Sequence, residues 1–205
     1  MAEGSEQGTG GSSPFDAMLE AMRAYRPLPK GGPEALELIS LRRDLAKGEF
    51  FLRSGEVPRL VGFLASGWLR HFHVGSEGRE YMRYFCSGGN FVTSQTALLE
   101  GRPSEYSIQA VEDSRLVVID YRDWLSLSEK DSAWVFIHKA VLDAALATAE
   151  RRERSLVLDD AAERYRRFLA EYPGAELHLR QYDIASYLGI SPVTLSRLRG
   201  RRERN

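Results

Sequence analysis

Val193, Thr194, Ser196 and Arg197 fall on one outward face of a short helical stretch, with Arg199, Arg201, Arg202 and Arg204 trailing behind them. These residue types suit nucleic acid. Arginine offers a planar fork of donors to a guanine edge, valine meets a thymine methyl, and small hydroxyls reach bases or phosphates. Arg197 lies one turn beyond Val193 and Thr194, which predicts that it reads a base. Arg199, Arg201 and Arg202 spread around the helix end, where phosphates are the nearer partners.

The elements that present this face are written in the surrounding run, LRQYDIASYLGISPVTLSRLRG, from Leu179 to Gly200. With Gln181 as the start, the positions that must pack are Ile184, Ala185, Leu188, Ile190, Leu195 and Leu198, all apolar. Ala185 is small enough for a close helix crossing, and Gly189 sits where the chain reverses and a positive φ is easiest without a Cβ. Ser191 caps the second helix and Pro192 opens it, where a missing N–H costs nothing. The run predicts a helix-turn-helix. Its expected interface adds Arg180 and Gln181 at the start of the motif, and Ser191 and Pro192 at the cap. Helix pairs joined by a glycine turn also occur without touching DNA, and an arginine tail is often merely solvated. Here packing pattern, cap and basic face agree on one motif.

From His178 to Asn205 the arginines outnumber the carboxylates by four, whereas the whole chain of 205 residues has a net charge of −1. A basic end on an acidic body suggests a phosphate partner at that end only. Cys86 is the single cysteine, which excludes an intrachain disulfide framework or a multi-thiolate metal site. No window is long and apolar enough to span a membrane, and no signal-peptide layout opens the chain. The expected location is the cytoplasm.

Residues 1–14 are Gly- and Ser-rich and expected to be a disordered tail. Helices are predicted from Phe15 to Tyr25 and from Pro33 to about Ile39. Strands follow at Glu49 to Arg53, Leu60 to Ala65, Trp68 to Val74, Glu80 to Phe85, Glu105 to Val111 and Arg115 to Ile119, spaced by turn signals as in an antiparallel sandwich or jelly roll. Gln95 to Leu99 reads as a short helix in a long connection. After Tyr121 the sequence turns helical, first to about Ser128, then from Asp131 toward Arg154, then from Asp159 to Tyr172. On the long helix Trp134, Ile137, His138, Val141, Ala145 and Thr148 form one stripe, which predicts a dimer seam, with packing on its own domain as the alternative. The fold class is α+β. The expected units are a β-roll domain with N-terminal helices at 15–128, a connecting and dimerisation helix at 129–157, and a DNA-binding domain at 158–205.

The order of parts, together with Lys47-Gly48-Glu49 leading to Gly55-Glu56, Ser66-Gly67, Gly88-Gly89-Asn90-Phe91 and IASYLGISPVTLSRLR, resembles the Crp/Fnr family of bacterial transcription regulators from about residue 41 onward. The resemblance implies a cyclic-nucleotide-binding-like domain, a homodimer, and double-stranded DNA as partner. It also implies RNA polymerase as a further partner and a small-molecule effector. The effector pocket it implies is formed by Phe91, Ser94, Gln95, Thr96, Arg102, Ser104 and Glu105. Nucleotide-binding members present a Glu for the ribose and an Arg for the cyclic phosphate; the matching positions here hold Ser94 and Ser104, with Glu105 beside the latter. The phosphate loses its cation and meets a carboxylate, so an effector other than cyclic AMP is expected unless Arg102 substitutes. Many members continue into a short β wing, whose backbone contacts the tail from Arg199 to Arg204 is expected to supply. Cys86 alone does not match the cysteine set of the iron–sulfur members.

Two rival classes remain. A cupin-like metal enzyme would use His71, His73 and Glu77, since residues two apart on a strand share a face, but no later strand supplies another His. On that rival's failure the histidines sit on an exposed strand face. A sensing adaptor would use the helix-turn-helix only to dimerise, against which the outward arginines speak. No catalytic residue, metal or cofactor is expected.

Overall fold

The computed structural model describes residues 12–202. Residues 1–11 of the expected tail, and 203–205 with Arg204, lie outside that range. Ser13 and Pro14, assigned to the tail, instead open helix α1 (Pro14–Tyr25): the Ser13 hydroxyl accepts from Asp16 N at 3.1 Å and the Asp16 carboxylate reaches back, a reciprocal cap.

A short α2 (Gly32–Glu37) leads into eight strands: β1 (Ser40–Leu45), β2 (Phe50–Leu52), β3 (Leu60–Ser66), β4 (Trp68–Val74), β5 (Glu80–Ser87), β6 (Asn90–Val92), β7 (Ser107–Ala110) and β8 (Ser114–Asp120). Helix α3 (Gln95–Glu100) fills the connection between β6 and β7. The strands form two four-stranded sheets, β1-β8-β3-β6 and β2-β7-β4-β5, with every pairing antiparallel. The strands that sequence periodicity missed, β1 and β6, are both at sheet edges. One is charged and one is short, and edges carry little of the buried alternation that marks a strand.

Alternation along the inner strands builds three cores. Leu64, Leu69, Ile108, Leu116 and Val118 point between the sheets. Phe63, Val117 and Ile119 point the other way from the first sheet, onto Met18 and Met22 of α1. Trp68, Phe72 and Phe85 leave the second sheet toward the C-terminal helices. Both sheets are thus covered on both faces, which is why β4 is buried from Trp68 to Phe72 instead of alternating.

Helix α4 (Tyr121–Lys130) starts on Asp120, whose side chain accepts from Arg122 N at 3.0 Å. The long helix α5 (Ala133–Leu158) follows. Part of its predicted seam takes the alternative, packing on its own domain. Trp134 and Ile137 are buried against α4, with Trp134 edge-on to Trp124 at 5.6 Å, and His138 meets Tyr121 and Trp124 edge-on. The aromatic half of the stripe is therefore consumed by its own domain, while Val135, Ala145 and Leu146 stay exposed.

Helices α6 (Ala161–Glu171), α7 (Ala175–His178), α8 (Gln181–Leu188) and α9 (Pro192–Arg202) complete the described residues. They share one core with the outer face of the second sheet, in which Phe168, Tyr172 and Tyr187 surround Phe85 with ring centroids 5.5 to 6.2 Å apart. The sequence did not announce α7, a single turn after Gly174.

Candidate nucleic-acid interface

The six apolar positions of the motif all pack in that C-terminal core: Ile184, Ala185, Leu188 and Leu195 are buried, and Ile190 and Leu198 partly so. Gly189 carries φ 66°, the left-handed conformation that ends α8. Ser191 Oγ accepts from Thr194 N at 3.1 Å and meets the Thr194 hydroxyl at 2.9 Å, so the cap uses both hydroxyls on itself.

On α9 the outward residues divide in a way the sequence did not. Val193 is 59% exposed, and Pro192, Ser196, Arg197 and Arg201 are exposed. Arg197 and Arg201 make no ion pair among the described residues and, one turn apart, lie on one stripe. Arg199 and Arg202 turn to the other side and pair with Glu176 of α7 at 2.7 and 3.0 Å; the Glu176 carboxylate also accepts from the Tyr165 hydroxyl at 2.6 Å. Grouping Arg199 and Arg202 with Arg201 as free phosphate contacts is therefore corrected: an internal carboxylate holds two of the three.

Arg180 is a second correction. Its guanidinium donates to Asp183 at 2.8 and 2.9 Å and lies 3.5 Å from Glu80 of β5, so two carboxylates hold it from the solvent side, and Gln181 beside it is exposed as well. Arg70 of β4 completes the cluster, 2.5 Å from Glu80 and 3.4 Å from Asp183, which is fully buried. The Arg70 guanidinium, with Arg180 adding to it, holds the Glu80 carboxyl below its ordinary range. Ser186 accepts from Met82 N at 3.0 Å, and Arg152 of α5 donates to the Tyr187 and Met82 carbonyls. These polar contacts and the apolar core fasten α8 to β4 and β5. Asp183, an acid directly before the packing positions Ile184 and Ala185, was the available signal.

The expected effector residues do not assemble as one pocket. Ser94 and Ser104 are buried and meet at 2.9 Å, with Ser104 Oγ also 2.8 Å from the Tyr106 carbonyl. Phe91 instead packs at a tilt against Phe63, centroids 5.2 Å apart, in the α1 core. Thr96 is exposed, and the Gln95 amide nitrogen is buried without a partner. Arg102 is held at the surface by Glu100 and by Glu105 at 2.7 Å, away from the buried serines.

His71 and His73 do share a face of β4, but Glu77 lies in the exposed turn after it, and no group of three metal-ligating side chains exists among the described residues. His71 is not on an exposed face: it is wholly buried, stacks on Tyr84 at 3.8 Å with Tyr106 at 5.9 Å, and neither ring nitrogen has a partner. Burial, with Arg83 nearby, pushes its pKa well below 6.5. Burial also pushes the Cys86 thiol up to about 12, which removes it as a nucleophile at neutral pH. No helix is long and apolar enough to cross a membrane among the described residues.

A family model described as "Cyclic nucleotide-binding domain" matches residues 42–131. Those residues are a cyclic nucleotide-binding domain. They include every strand but the first residues of β1, together with α3 and α4. No curated protein sequence matches the chain. Among solved structures, FixK2 from Bradyrhizobium japonicum is 21% identical with a TM-score of 0.71, over 80% of this chain and 84% of that one. CLP, the c-di-GMP-responsive global regulator of Xanthomonas campestris, is 18% identical with a TM-score of 0.66, over 85% and 92%. The Thermus thermophilus catabolite activator protein is 24% identical with a TM-score of 0.53, over 83% and 81%. The chain shares the fold of these three structures, an α+β arrangement in which the cyclic nucleotide-binding domain precedes the helix-turn-helix.

Proposed function

We propose that the chain is a DNA-binding transcription regulator that acts as a homodimer on two inverted half-sites, with no catalytic step of its own. The observation that carries this reading is the stripe of Val193, Arg197 and Arg201, exposed and unpaired on a helix whose other arginines are tied to Glu176. A helix presenting an apolar contact and free guanidinium forks is suited to base edges and phosphates in a major groove. Dimerisation falls to the side of α5 that carries Val135, Leu142, Ala145 and Leu146, because the other side packs on its own domain. Two recognition helices would then sit about 34 Å apart, one turn of DNA.

The effector is a molecule other than cyclic AMP. Support comes from the two buried serines, bonded to each other where a ribose carboxylate and a phosphate cation are needed, and from Arg102, engaged by two carboxylates. The similarity in fold to a regulator described as c-di-GMP-responsive supports the same reading.

Selection of bound sequences from random DNA by the purified protein tests the function: a palindromic consensus is expected. No enrichment, with or without cell extract, would favour the adaptor reading. Calorimetry with cyclic AMP tests the pocket, and micromolar binding would overturn that half of the proposal.

A further inference from the structure

A cleft of about 390 Å³ opens where the end of α5, α6 and the end of α8 meet, well away from the serine pair of the cyclic nucleotide-binding domain. Its volume lies in the range typical of small-molecule sites, about 300 to 1,000 Å³. Four arginines line it, Arg151 and Arg152 from α5 and Arg164 and Arg167 from α6, against one lining carboxylate, Glu171. Arg167 is neutralised by Asp159 at 2.8 Å and Glu163 at 3.1 Å. The other three make no ion pair among the described residues, and their partners are all uncharged. Arg151 donates to the Thr148 hydroxyl, Arg152 to the Tyr187 and Met82 carbonyls, and Arg164 to the Leu188 and Asp159 carbonyls.

Those carbonyl bonds have a consequence. They fix two guanidiniums in place while leaving the charge uncompensated. A guanidinium has five N–H donors, and the bonds described occupy one on Arg151 and two each on Arg152 and Arg164. Arg152 is also stacked 3.8 Å over the Tyr187 ring. Pre-placed, unpaired forks beside apolar walls such as Leu156 suit an anion with several acceptor oxygens and an apolar or aromatic body. From this geometry we infer that the cleft is a binding site for a small phosphate ester of nucleotide size. It requires no DNA contact, so it stands apart from the role proposed for α9.

The same guanidiniums could meet phosphates of duplex DNA, and the test separates the two sources. The full chain is titrated calorimetrically at low ionic strength with inorganic pyrophosphate and with guanosine 5′-monophosphate; one molecule of each is expected to bind per chain. Arg151→Glu is the informative variant, because Arg151 is exposed and bonds only Thr148, so folding is preserved. It should weaken both probes by about tenfold or more. Arg154→Glu, the same reversal on an exposed residue of α5 outside the cleft, should change affinity by less than about twofold. Arg197→Ala should leave probe binding intact even where it abolishes base preference. The inference is overturned if the folded wild-type protein binds neither probe, if both reversals weaken binding alike, or if Arg151→Glu alters affinity only for a DNA duplex.

Discussion

Arg70 of β4 and Asp183 of α8, 113 positions apart, face each other at 3.4 Å inside the protein, with Asp183 fully buried and Arg70 6% exposed. Each has a second partner: Glu80 for Arg70, Arg180 for Asp183. A buried charge is tolerated only when paired, and removing one member leaves the other with a single charged partner in place of two. Asp183→Ala should therefore destabilise the protein by about 3 kcal/mol, and Arg70→Met by a similar amount. Arg70→Met combined with Asp183→Ala should cost less than the sum of the two. Denaturant unfolding of the four proteins of this cycle reads the coupling, and strict additivity would show that the pair does not interact.

The arginines of α9 should separate into readers and braces. Arg197→Ala is expected to cost about 1 to 3 kcal/mol per half-site and to relax one base position. Arg201→Ala should weaken all sequences alike and flatten the salt dependence by about one unit. Arg199→Ala should lower stability by about 1 kcal/mol through loss of Glu176, with little change in base preference. Titrations on matched and mismatched duplexes at several salt concentrations, beside thermal unfolding, distinguish the three.

Two glycines with positive φ should respond differently to alanine. At Gly67, φ 99°, an added Cβ would come within 2.8 Å of the Ser114 backbone, so Gly67→Ala combines backbone strain with a clash and should cost about 3 kcal/mol or more. At Gly189, φ 66°, the Cβ meets only Leu156 at an ordinary 3.6 Å, and the cost should be about 1 kcal/mol. Equal losses at the two sites would contradict this assignment.

Stability should also carry a signature of His71. Its folded pKa lies well below the ordinary 6.5, so the folded state binds fewer protons than the unfolded one as pH falls. The contribution is fully present above pH 6.5 and is lost as pH drops from there toward the folded pKa. His71→Phe removes the titrating group and its two unpartnered nitrogens. Relative to this variant, the wild-type protein should lose up to about 1.4 kcal/mol per pH unit below that point. Parallel stability curves for the two proteins between neutral pH and pH 5 would exclude His71 as a source of acid sensitivity.

The sequence by itself determined the α+β class, the succession from β roll to long helix to helix-turn-helix, and the turn at Gly189 with the cap at Ser191. Each of these is local: apolar periodicity, a φ that favours glycine, and a hydroxyl three residues from the amide it accepts. Only the tertiary structure decided which charges are free. Arg199 and Arg201 look alike in the sequence, yet Glu176, brought close by a one-turn helix, takes one and leaves the other. The same holds for Arg180, claimed by Asp183 and Glu80, and for the aromatic stripe of α5, claimed by Trp124. A side chain's role depends on the partner that long-range packing supplies, and β4, expected to have one covered face, gains a second only when α8 folds back onto it.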